Sequence, residues 1–304
     1  MKVVTSGCPY IDIDAYAGCV AYAELLRLQG HDAIAASSAV LNESITSTIK
    51  TWDVPFSADY ESGTEDTYVL IDISEPEFFD KMVDIDRVEE IIDHHPGFEQ
   101  FWQEKIGDKA QIEFIGAACT LVFERWKRAG LLNRMPAEIA GLLMSGILDN
   151  TLNFKASVST DRDGRAYDEL SKIAHLPDDW PAQYFGECQD SILADLSTAL
   201  ANDTKTIMFK SLSENPVAVG QLVVWDASEV IAKHLPIIRE VMAAKQPEWF
   251  VNVVSISEGK SYFVSDDDDI KTWVNNLLSA NFEESVAIAD RLWLRKEIIK
   301  QDIG

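Results

Sequence analysis

The first half of the chain alternates short apolar runs with segments of helical periodicity. Two of these runs, Thr67–Ser74 and Val88–His95, are apolar on both faces and end in polar side chains, and Asp32–Leu41 is a further strand candidate. The segments Ala15–Gly30 and Pro136–Phe154 place apolar residues at helical spacing. Strands of this kind, alternating with helices, are typical of a parallel sheet. The sequence therefore predicts an α/β domain with a parallel sheet and helices on both faces.

The second half of the chain predicts a smaller, mixed α/β domain. Strand-like runs occupy residues 216–226, 248–257 and 260–266, and a long helical stretch covers 228–245. A polar, proline-punctuated stretch at 160–190 precedes them. We expect the boundary near residue 190, so that the domains comprise residues 1–189 and 190–304.

The charge of the chain restricts its partners. Its 304 residues include 51 acidic and 26 basic side chains, which gives a formal net charge of −25. Such a chain repels nucleic acid and anionic lipid. We also find neither the apolar core of a secretory signal nor a run long enough to span a membrane. We expect a cytoplasmic protein without nucleic-acid or membrane partners, and any anionic substrate would need local cations or metal ions.

Acidic and imidazole side chains follow three of the predicted strands, and one more acidic residue lies near the end of a predicted helix. Ligands bind at the carboxyl ends of the strands in an open parallel sheet. Carboxylates with imidazoles are typical ligands of Mn²⁺ and similar ions. Any one of these residues alone is more often a helix cap, a turn or a packing residue, but together they predict a divalent metal site. The candidates are Cys8, Asp12, Asp14, Asp72, Asp93, His94, His95 and Asp149.

These motifs resemble those of the DHH phosphoesterase superfamily, which is named after the triplet seen here as Asp93–His95. The second half resembles the DHHA2 domain of the branch that holds family II inorganic pyrophosphatases, prune-type enzymes and yeast-type exopolyphosphatases. Asp203–Lys205 and Leu294–Glu297 carry that part of the resemblance. The resemblance implies a DHH metal-binding catalytic domain, a DHHA2 substrate-binding domain and an active site in the cleft between them.

The resemblance also implies a role for each candidate. Cys8, Asp12 and Asp72 would bind one ion, and Asp14, Asp72, His94 and Asp149 would bind the second. Asp72 would thus bridge two ions, which can share and activate a water. The catalytic residues would be Asp72 and His95, and the phosphates of the substrate would contact His95, Lys205, Arg295 and Lys296. The implied metal is Mn²⁺, with Co²⁺, Zn²⁺ or Fe²⁺ as alternatives because Cys8 stands where the family usually has histidine, and Mg²⁺ could enter with the substrate.

The implied activity is metal-dependent hydrolysis of a phosphoanhydride, with pyrophosphate as the leading substrate. Several departures from the pyrophosphatase pattern keep alternatives open: Ile73 and Ser74 follow Asp72, and Pro96 follows the histidine pair, where the pyrophosphatases have polar or basic residues. An exopolyphosphatase or prune-like phosphoesterase, acting on short polyphosphate or nucleotides, is the first alternative. A non-catalytic metal- or phosphate-binding regulator is the second. By analogy the resemblance also implies a homodimer.

Overall fold

A computed structural model describes residues 1–212 and 215–303. The chain forms two compact units, Met1–Tyr184 and Phe185–Gly304. The division falls within one helix, Trp180–Ala194, which also contains the predicted boundary after residue 189.

The first unit is an α/β domain. Its strands are β1 (Lys2–Thr5), β2 (Tyr10–Ile11), β3 (Ala33–Ala35), β4 (Val40–Leu41), β5 (Thr67–Ile71), β6 (Val88–Asp93) and β7 (Ala110–Ile112). Its helices are α1 (Ile13–Leu28), α2 (Glu99–Ile106), α3 (Ala118–Arg128), α4 (Ala137–Thr151) and α5 (Asp161–Ala174), followed by α6 (Trp180–Ala194), which continues past the division.

Five strands of this unit form the predicted parallel sheet, in the order β3-β1-β5-β6-β7. Strands β2 and β4 pair separately, also in parallel. The register of the central pair places Ile71 of β5 beside Ile92 of β6. The residues that follow, Asp72 and Asp93, therefore lie side by side at the carboxyl edge of the sheet.

Helices cover both faces of this sheet, as predicted. On one face, Trp102 of α2 packs with Tyr68, Leu70 and Ile91. On the other face, α1 approaches β5 so closely that a Cβ atom at Gly18 would lie 2.5 Å from Cγ2 of Ile71. The strands are apolar on both sides because both sides are buried.

The expected strand Asp32–Leu41 is instead two short strands, β3 and β4. The intervening Ser37 and Ser38 are bound by a buried carboxylate: their hydroxyl groups and the Ser38 N–H donate to Asp80. Because Ser37 and Ser38 donate to the Asp80 side chain, the chain leaves the sheet at these two residues.

The second unit is a smaller mixed α/β domain, as predicted. Its helices are α7 (Leu196–Asn202), α8 (Ala227–Lys245), α9 (Asp268–Leu278) and α10 (Arg295–Ile303). Its strands are β8 (Thr204–Ile207), β9 (Val217–Val224), β10 (Trp249–Ser255), β11 (Lys260–Val264), β12 (Phe282–Glu283) and β13 (Val286–Ala289). The sheet order is β12-β13-β11-β10-β9-β8, and within it β9 and β10 run parallel while the other neighbours run antiparallel.

Two apolar clusters lie in this second unit. One contains Val230, Ile238 and Met242 of α8, and the other contains Trp273 and Val274 of α9. Among the described helices of the whole chain, none combines the length and the apolar character that crossing a membrane would require.

Candidate metal centre

The candidate site lies where β5 and β6 end. Asp72 directly follows β5, and its N–H donates to the Ile92 carbonyl at 2.9 Å. Its backbone has φ = +62°, a left-handed conformation that aspartate adopts more readily than most residues. Asp93 ends β6, and His94 and His95 follow it. The parallel strands therefore bring a carboxylate and two imidazoles to one edge of the sheet.

Asp72 and His94 face each other without a hydrogen bond. Oδ1 of Asp72 lies 3.1 Å from Nε2 of His94, and both atoms are buried and lack a hydrogen-bond partner. The other ring nitrogen, Nδ1, lies 2.9 Å from the Ile115 carbonyl, to which it can only donate. Nε2 is therefore the ring atom available to a cation. Metal-binding histidines typically donate their second ring N–H to a carbonyl or carboxylate in this way, so the pair fits a metal ion.

His95 completes the group. Its Nδ1 lies 2.9 Å from Oδ1 of Asp93 and 3.7 Å from Oδ1 of Asp72. Among the described residues, Asp72, His94 and His95 present ligand atoms within 4.8 Å of one another. The hydrogen bond that Nδ1 of His95 donates to Asp93 orients the ring, and the His95 side chain is 60% exposed. His95 is thus the member of the group that solvent, or a substrate, can reach.

Asp14 lies beside this group and is bonded on both oxygens. The N–H groups of Ala118 and Cys119, in the first turn of α3, donate to Oδ2 and Oδ1 at 2.7 and 2.8 Å. The side-chain amide of Asn150 also donates to Oδ2. That same oxygen lies 3.8 Å from Nε2 of His94. A helix N-terminus favours a buried carboxylate, which is consistent with the complete burial of Asp14 at this position.

Asp12 caps helix α1, and its Oδ1 accepts a hydrogen bond from the N–H of Ala15 at 3.0 Å. Burial, followed by the charge of Asp14, raises the pKa of Asp12. A residue that could be explained as an N-cap alone thus also contributes charge to the acidic centre.

The carboxylates raise one another's pKa values. Burial, then the charges of Asp14 and Asp12, raises the pKa of Asp72 to about 7. Burial, then the charge of Asp12, raises the pKa of Asp149 to about 7, although a hydrogen bond from Tyr184 opposes the shift. Such a cluster of buried carboxylates requires protons or cations for compensation.

The imidazoles supply part of this compensation in the metal-free protein. Burial alone would lower the pKa of His94, but the neighbouring Asp72 and Asp14 outweigh it and raise the pKa to about 10. The bond to Asp93 raises the pKa of His95. A proton on Nε2 of His94 and a metal ion would occupy the same place, so the two compete.

Helix α4 reaches Asp14 through Asn150, whereas Asp149 points to a different neighbour. Gly146 and Asn150 lie one turn apart, on the face of α4 that meets Asp14. A Cβ atom at Gly146 would lie 2.6 Å from the Cys119 sulfur and 3.2 Å from Oδ1 of Asp14. The glycine therefore permits the close approach that brings the Asn150 amide to Asp14.

The adjacent face of α4 is bonded to α6. Nε1 of Trp180 donates to Oγ of Ser145 at 3.1 Å, and the Tyr184 hydroxyl lies 2.9 Å from Oδ1 of Asp149. The two contacts are one helical turn apart on each helix. The carboxylate of Asp149 accepts a hydrogen bond from Tyr184, and it lies close enough to Asp12 for the charge of Asp12 to raise the pKa of Asp149. The role of Asp149 as a metal ligand stays a prediction.

Cys8 lies in the loop between β1 and β2 and is half-buried. Its sulfur contacts the Phe79 carbonyl at 3.2 Å, as a thiol donor would. Its role as a metal ligand also stays a prediction.

The basic candidates of the second unit differ in their surroundings. Lys205 on β8 and Lys296 on α10 are exposed. Arg295 is buried, and its guanidinium donates to the carbonyls of Asp203 (2.6 Å) and Val219 (3.3 Å) and pairs with the Asp203 side chain. These bonds attach α10 to neighbouring strand β9 and to the residue before β8. Arg295 thus has a structural role in addition to the predicted one in substrate binding.

Asn150 and Tyr184 belong to the centre but to none of the motifs of the sequence. Both are ordinary polar residues near the ends of largely apolar helical segments, and their place in the centre follows from the rotation of α4 and α6 about their axes. A helical periodicity separates faces but does not say which face meets Asp14. The one available signal was that Asn150 adjoins a candidate ligand.

Comparison with known proteins finds one family match and several similar proteins. Residues 2–147 match the model of the DHH family, N-terminal domain. A protein of Bacillus pumilus named probable manganese-dependent inorganic pyrophosphatase is 29% identical over 261 residues, which cover 84% of this chain and 82% of that protein. The manganese-dependent inorganic pyrophosphatase of Methanothrix thermoacetophila is 27% identical over 248 residues, covering 78% and 75%.

Two solved structures share the fold. A putative family II inorganic pyrophosphatase of Methanococcus jannaschii superimposes with a TM-score of 0.62 at 19% identity, over the full length of both chains. An exopolyphosphatase-related protein of Bacteroides fragilis gives a TM-score of 0.54 at 14% identity, over 99% of this chain and 89% of that one. The two-unit α/β fold is therefore the one seen in those proteins.

Proposed function

Because residues 2–147 match the DHH family, N-terminal domain, we propose that the chain is a metal-dependent phosphoanhydride hydrolase that cleaves inorganic pyrophosphate into two phosphates. The main support for a metal-dependent enzyme is the buried pair of Asp72 Oδ1 and His94 Nε2. These atoms face each other at 3.1 Å without hydrogen-bond partners, as two ligands of one ion would. The names of the relatives support the substrate and the class of enzyme.

We propose manganese as the metal. Carboxylates and imidazoles suit Mn²⁺, and the relatives named above are called manganese-dependent. Divalent ions bound here would lower the pKa of a water and offset phosphate charge. Asp72 would be shared by two ions, with His94 and Asp14 on one side and Asp12 on the other; ligation by Cys8 and Asp149 belongs to the same proposal.

The chain's own residues would bind and orient the substrate. Asp93 fixes the His95 ring at 2.9 Å and raises the pKa of His95, so the exposed imidazole can carry a positive charge. A cationic imidazole next to the acidic centre is suited to a phosphate oxygen, to which it can donate a proton or a hydrogen bond. We assign His95 to this contact.

Lys205, Arg295 and Lys296 are proposed to bind the phosphates of the same substrate. In a chain with 51 acidic and 26 basic side chains, an anionic ligand needs local cations to offset the surrounding negative charge. Lysine supplies a compact charge and arginine a bidentate one. The same charge argues against nucleic-acid and membrane partners. A homodimer and a cytoplasmic location are proposed by analogy.

A second candidate substrate is short polyphosphate. Next to the centre, Ile73 and Pro96 offer neither a charge nor a side-chain hydrogen bond, and Ser74 is buried, with its carbonyl bound by Nε1 of Trp102 at 2.6 Å. Fewer polar groups around the metal ligands would restrict a small substrate less tightly. This would allow exopolyphosphatase activity in addition to hydrolysis of pyrophosphate.

Rates of phosphate release decide among the candidates. They are measured on pyrophosphate, tripolyphosphate, longer polyphosphate and nucleotides, each with Mn²⁺, Co²⁺ or Mg²⁺. The proposal predicts the fastest release from pyrophosphate with Mn²⁺. Faster release from tripolyphosphate would favour the second candidate. Metal binding without release from any of these compounds would contradict both and favour a regulatory protein.

A further inference from the structure

One serine outside the metal-binding motifs completes the start of α1. Asp12 caps this helix, and its Oδ1 accepts from the N–H of Ala15. An N-cap side chain satisfies the second or third N–H of a helix, so the first N–H, which belongs to Ile13, needs another acceptor. That acceptor is Oγ of Ser44, at 2.8 Å, which lies 31 residues further along the chain. Ser44 thus completes the cap of the helix that carries Asp12 and Asp14.

This division of donors affects the Asp12 carboxylate directly. Because Ser44 accepts the Ile13 N–H, the helix needs only one oxygen of Asp12, and among the described residues no donor binds the other, Oδ2. That oxygen is therefore available to a cation. Ile13 is fully buried, and a buried N–H without an acceptor costs free energy. Loss of the Ser44 hydroxyl would thus draw the Asp12 carboxylate toward a second N–H and away from an ion.

Asn42 fixes the direction of the Ser44 hydroxyl. Oδ1 of Asn42 accepts from Oγ of Ser44 at 2.6 Å and from the Ser44 N–H at 3.0 Å. The N–H of Asn42 donates to the carbonyl of Ile11, on β2, at 3.0 Å. A hydroxyl has one proton, so donation to Asn42 leaves the lone pairs of Oγ for the Ile13 N–H. Ser44 is only 7% exposed, which limits competition from water.

The backbone of the same serine reaches the other side of the centre. The Tyr184 hydroxyl lies 3.0 Å from the Ser44 carbonyl oxygen and 2.9 Å from Oδ1 of Asp149. Ser44 therefore contacts α1 through its side chain and Tyr184 through its main chain. Asp12 and Asp149 are assigned to different ions, so this one residue connects ligands of both.

We propose that Ser44 is a positioning residue of the metal centre: it fixes Asp12 relative to Asp149 and keeps one oxygen of Asp12 available to the ion. The inference rests on the proposed function and adds a residue that belongs to none of its motifs. Ser44 acts through Asp12 and Tyr184, without touching an ion or the substrate itself.

Titration of the full-length, metal-stripped protein with Mn²⁺ tests the proposal. The signal of free Mn²⁺ in electron paramagnetic resonance gives the amount bound, and equilibrium dialysis gives an independent count. Ser44→Ala, which removes the hydroxyl alone, should raise the free Mn²⁺ concentration at half-saturation about tenfold. Asn42→Ala removes the acceptor that orients this hydroxyl, so it should raise that concentration by a smaller factor. Asn42 is only half-buried, so this second variant tests the same hydrogen bonds with less risk to folding.

Ser265→Ala is the matched control, because Ser265 makes the same pair of hydrogen bonds at another helix. Ser265 is fully buried, and its hydroxyl donates to the Trp249 carbonyl at 2.8 Å and accepts at 3.2 Å from the N–H of Asp267, the N-cap of α9. It belongs to the second unit, which contains none of the metal-ligand candidates. Ser265→Ala should lower the melting temperature about as much as Ser44→Ala but leave the affinity for Mn²⁺ unchanged.

A purely structural role for Ser44 predicts a different result. Ser44→Ala would then lower the melting temperature and keep the affinity of the unmodified protein, and this outcome would overturn the proposal. An equal loss of affinity in Ser265→Ala would also overturn it. Circular dichroism of each variant excludes misfolding as the cause of a loss.

A double-mutant cycle with Tyr184→Phe tests the connection to Asp149. If Ser44 acts on both sides of the centre, removal of its hydroxyl already disturbs the contact with Tyr184. The double variant should therefore lose at least about threefold less affinity than the product of the two single losses. A loss equal to that product would show that the two residues act independently and would contradict the connection.

A parallel assay of pyrophosphate hydrolysis separates this inference from the proposed function. If the unmodified protein hydrolyses pyrophosphate and Ser44→Ala keeps its affinity for Mn²⁺, the inference alone is contradicted. If Ser44→Ala loses affinity as expected but the unmodified protein releases no phosphate, the proposed function alone is contradicted. An unmodified protein that binds no Mn²⁺ would contradict both.

Discussion

Nε2 of His94 lies 3.1 Å from Oδ1 of Asp72, and these two buried atoms share no hydrogen bond. The other nitrogen of the same ring is committed to the Ile115 carbonyl at 2.9 Å. A cation between the ring and the carboxylate would give both Nε2 of His94 and Oδ1 of Asp72 a partner. Without metal, Asp72 and Asp14 outweigh the effect of burial and raise the pKa of His94 to about 10, so a proton can bind at this place. Its replacement by a metal ion connects the stability of the domain to pH and to metal binding.

The metal-free protein is expected to lose stability as pH rises. Asp72 and Asp149 have folded pKa values of about 7, above the ordinary 3.8, so their contribution is lost between about pH 4 and pH 7. The folded pKa of His94 is about 10, above 6.5, so its contribution is lost between about pH 6.5 and pH 10. All three shifts have the same sign, and we expect the free energy of unfolding in chelator to fall by at least about 2 kcal/mol between about pH 5 and pH 9.

Urea unfolding in the presence of chelator measures this change, and the same experiment with saturating Mn²⁺ is the control. The bound metal should remove or reverse the trend, since its affinity rises as the ligands lose protons. Constant or rising stability of the chelated protein over this pH range would refute the assignment of these three groups.

Tyr184→Phe should weaken metal binding in a pH-dependent manner. The Tyr184 hydroxyl lies 2.9 Å from Asp149, and its hydrogen bond lowers the pKa of that carboxyl. Without it, protons compete more strongly with the metal, so we expect about a tenfold loss of Mn²⁺ affinity near pH 7 and a smaller loss at higher pH. Tyr167→Phe is the control, because the Tyr167 ring packs against Phe154 instead. A loss of affinity that is equal at every pH would indicate a purely structural role for Tyr184.

Gly146→Ala should damage both stability and metal affinity. The added Cβ would lie 2.6 Å from the Cys119 sulfur, so α4 must move away from α1 and α3. We expect a loss of about 1–3 kcal/mol in the free energy of unfolding, together with weaker Mn²⁺ binding. Gly164→Ala, in α5, meets no atom within 4 Å and should be neutral or stabilising by about 0.5–1 kcal/mol. Equal melting temperatures for the two variants would contradict the close approach at Gly146.

Arg295→Ala should destabilise the second unit, whereas Lys296→Ala should not. Arg295 is buried and paired with Asp203, and its loss leaves the carbonyls of Asp203 and Val219 without their donor. Since Asp203 is partly exposed, we expect a loss of about 2 kcal/mol. Lys296 is exposed, so Lys296→Ala should raise the KM for pyrophosphate at an unchanged melting temperature. An unchanged melting temperature for Arg295→Ala would contradict the structural role assigned to its guanidinium.

The sequence was sufficient to predict the parallel sheet and the edge at which Asp72, His94 and His95 lie together. Runs such as Thr67–Ser74 are apolar on both faces, a pattern that fits a covered strand, and the polar residues after them necessarily collect at one edge of a parallel sheet. Asp72, His94 and His95 are residues of this kind. Their mutual distances depend on the register of β5 and β6, which the sequence does not specify.

Helix α4 shows where a periodic pattern misleads. The prediction extended it to Phe154, whereas the structure ends it at Thr151. Leu152, Asn153 and Phe154 all have positive φ, and the Thr151 hydroxyl accepts the Phe154 N–H at 3.1 Å. The apolar spacing of the sequence continues through residues 152–154, although the helix has already ended there.

The division of roles between Asp149 and Asn150 could not be predicted for a related reason. Adjacent helical residues point about 100° apart, so one residue decides whether a side chain meets Asp14 or α6. The structure places Asn150 on Asp14 and Asp149 on Tyr184. Helix α4 has this orientation because Gly146 allows it to approach Asp14 and Cys119 closely. That contact joins distant parts of the chain, so no local sequence pattern reveals it.

One assay tests most directly whether the protein is a metal-dependent hydrolase centred on Asp72 and His94. Phosphate release from pyrophosphate is measured with metal-stripped protein before and after Mn²⁺ is restored, and the assay is repeated with Asp72→Asn. Asparagine keeps the shape of the side chain and tolerates the left-handed backbone of position 72, while it removes the negative charge. We predict that stripping abolishes release, that Mn²⁺ restores it and that Asp72→Asn lowers it at least about 100-fold in a folded protein. Release that survives stripping, or an Asp72→Asn variant as active as the unmodified protein, would contradict a metal-dependent hydrolase centred on Asp72 and His94.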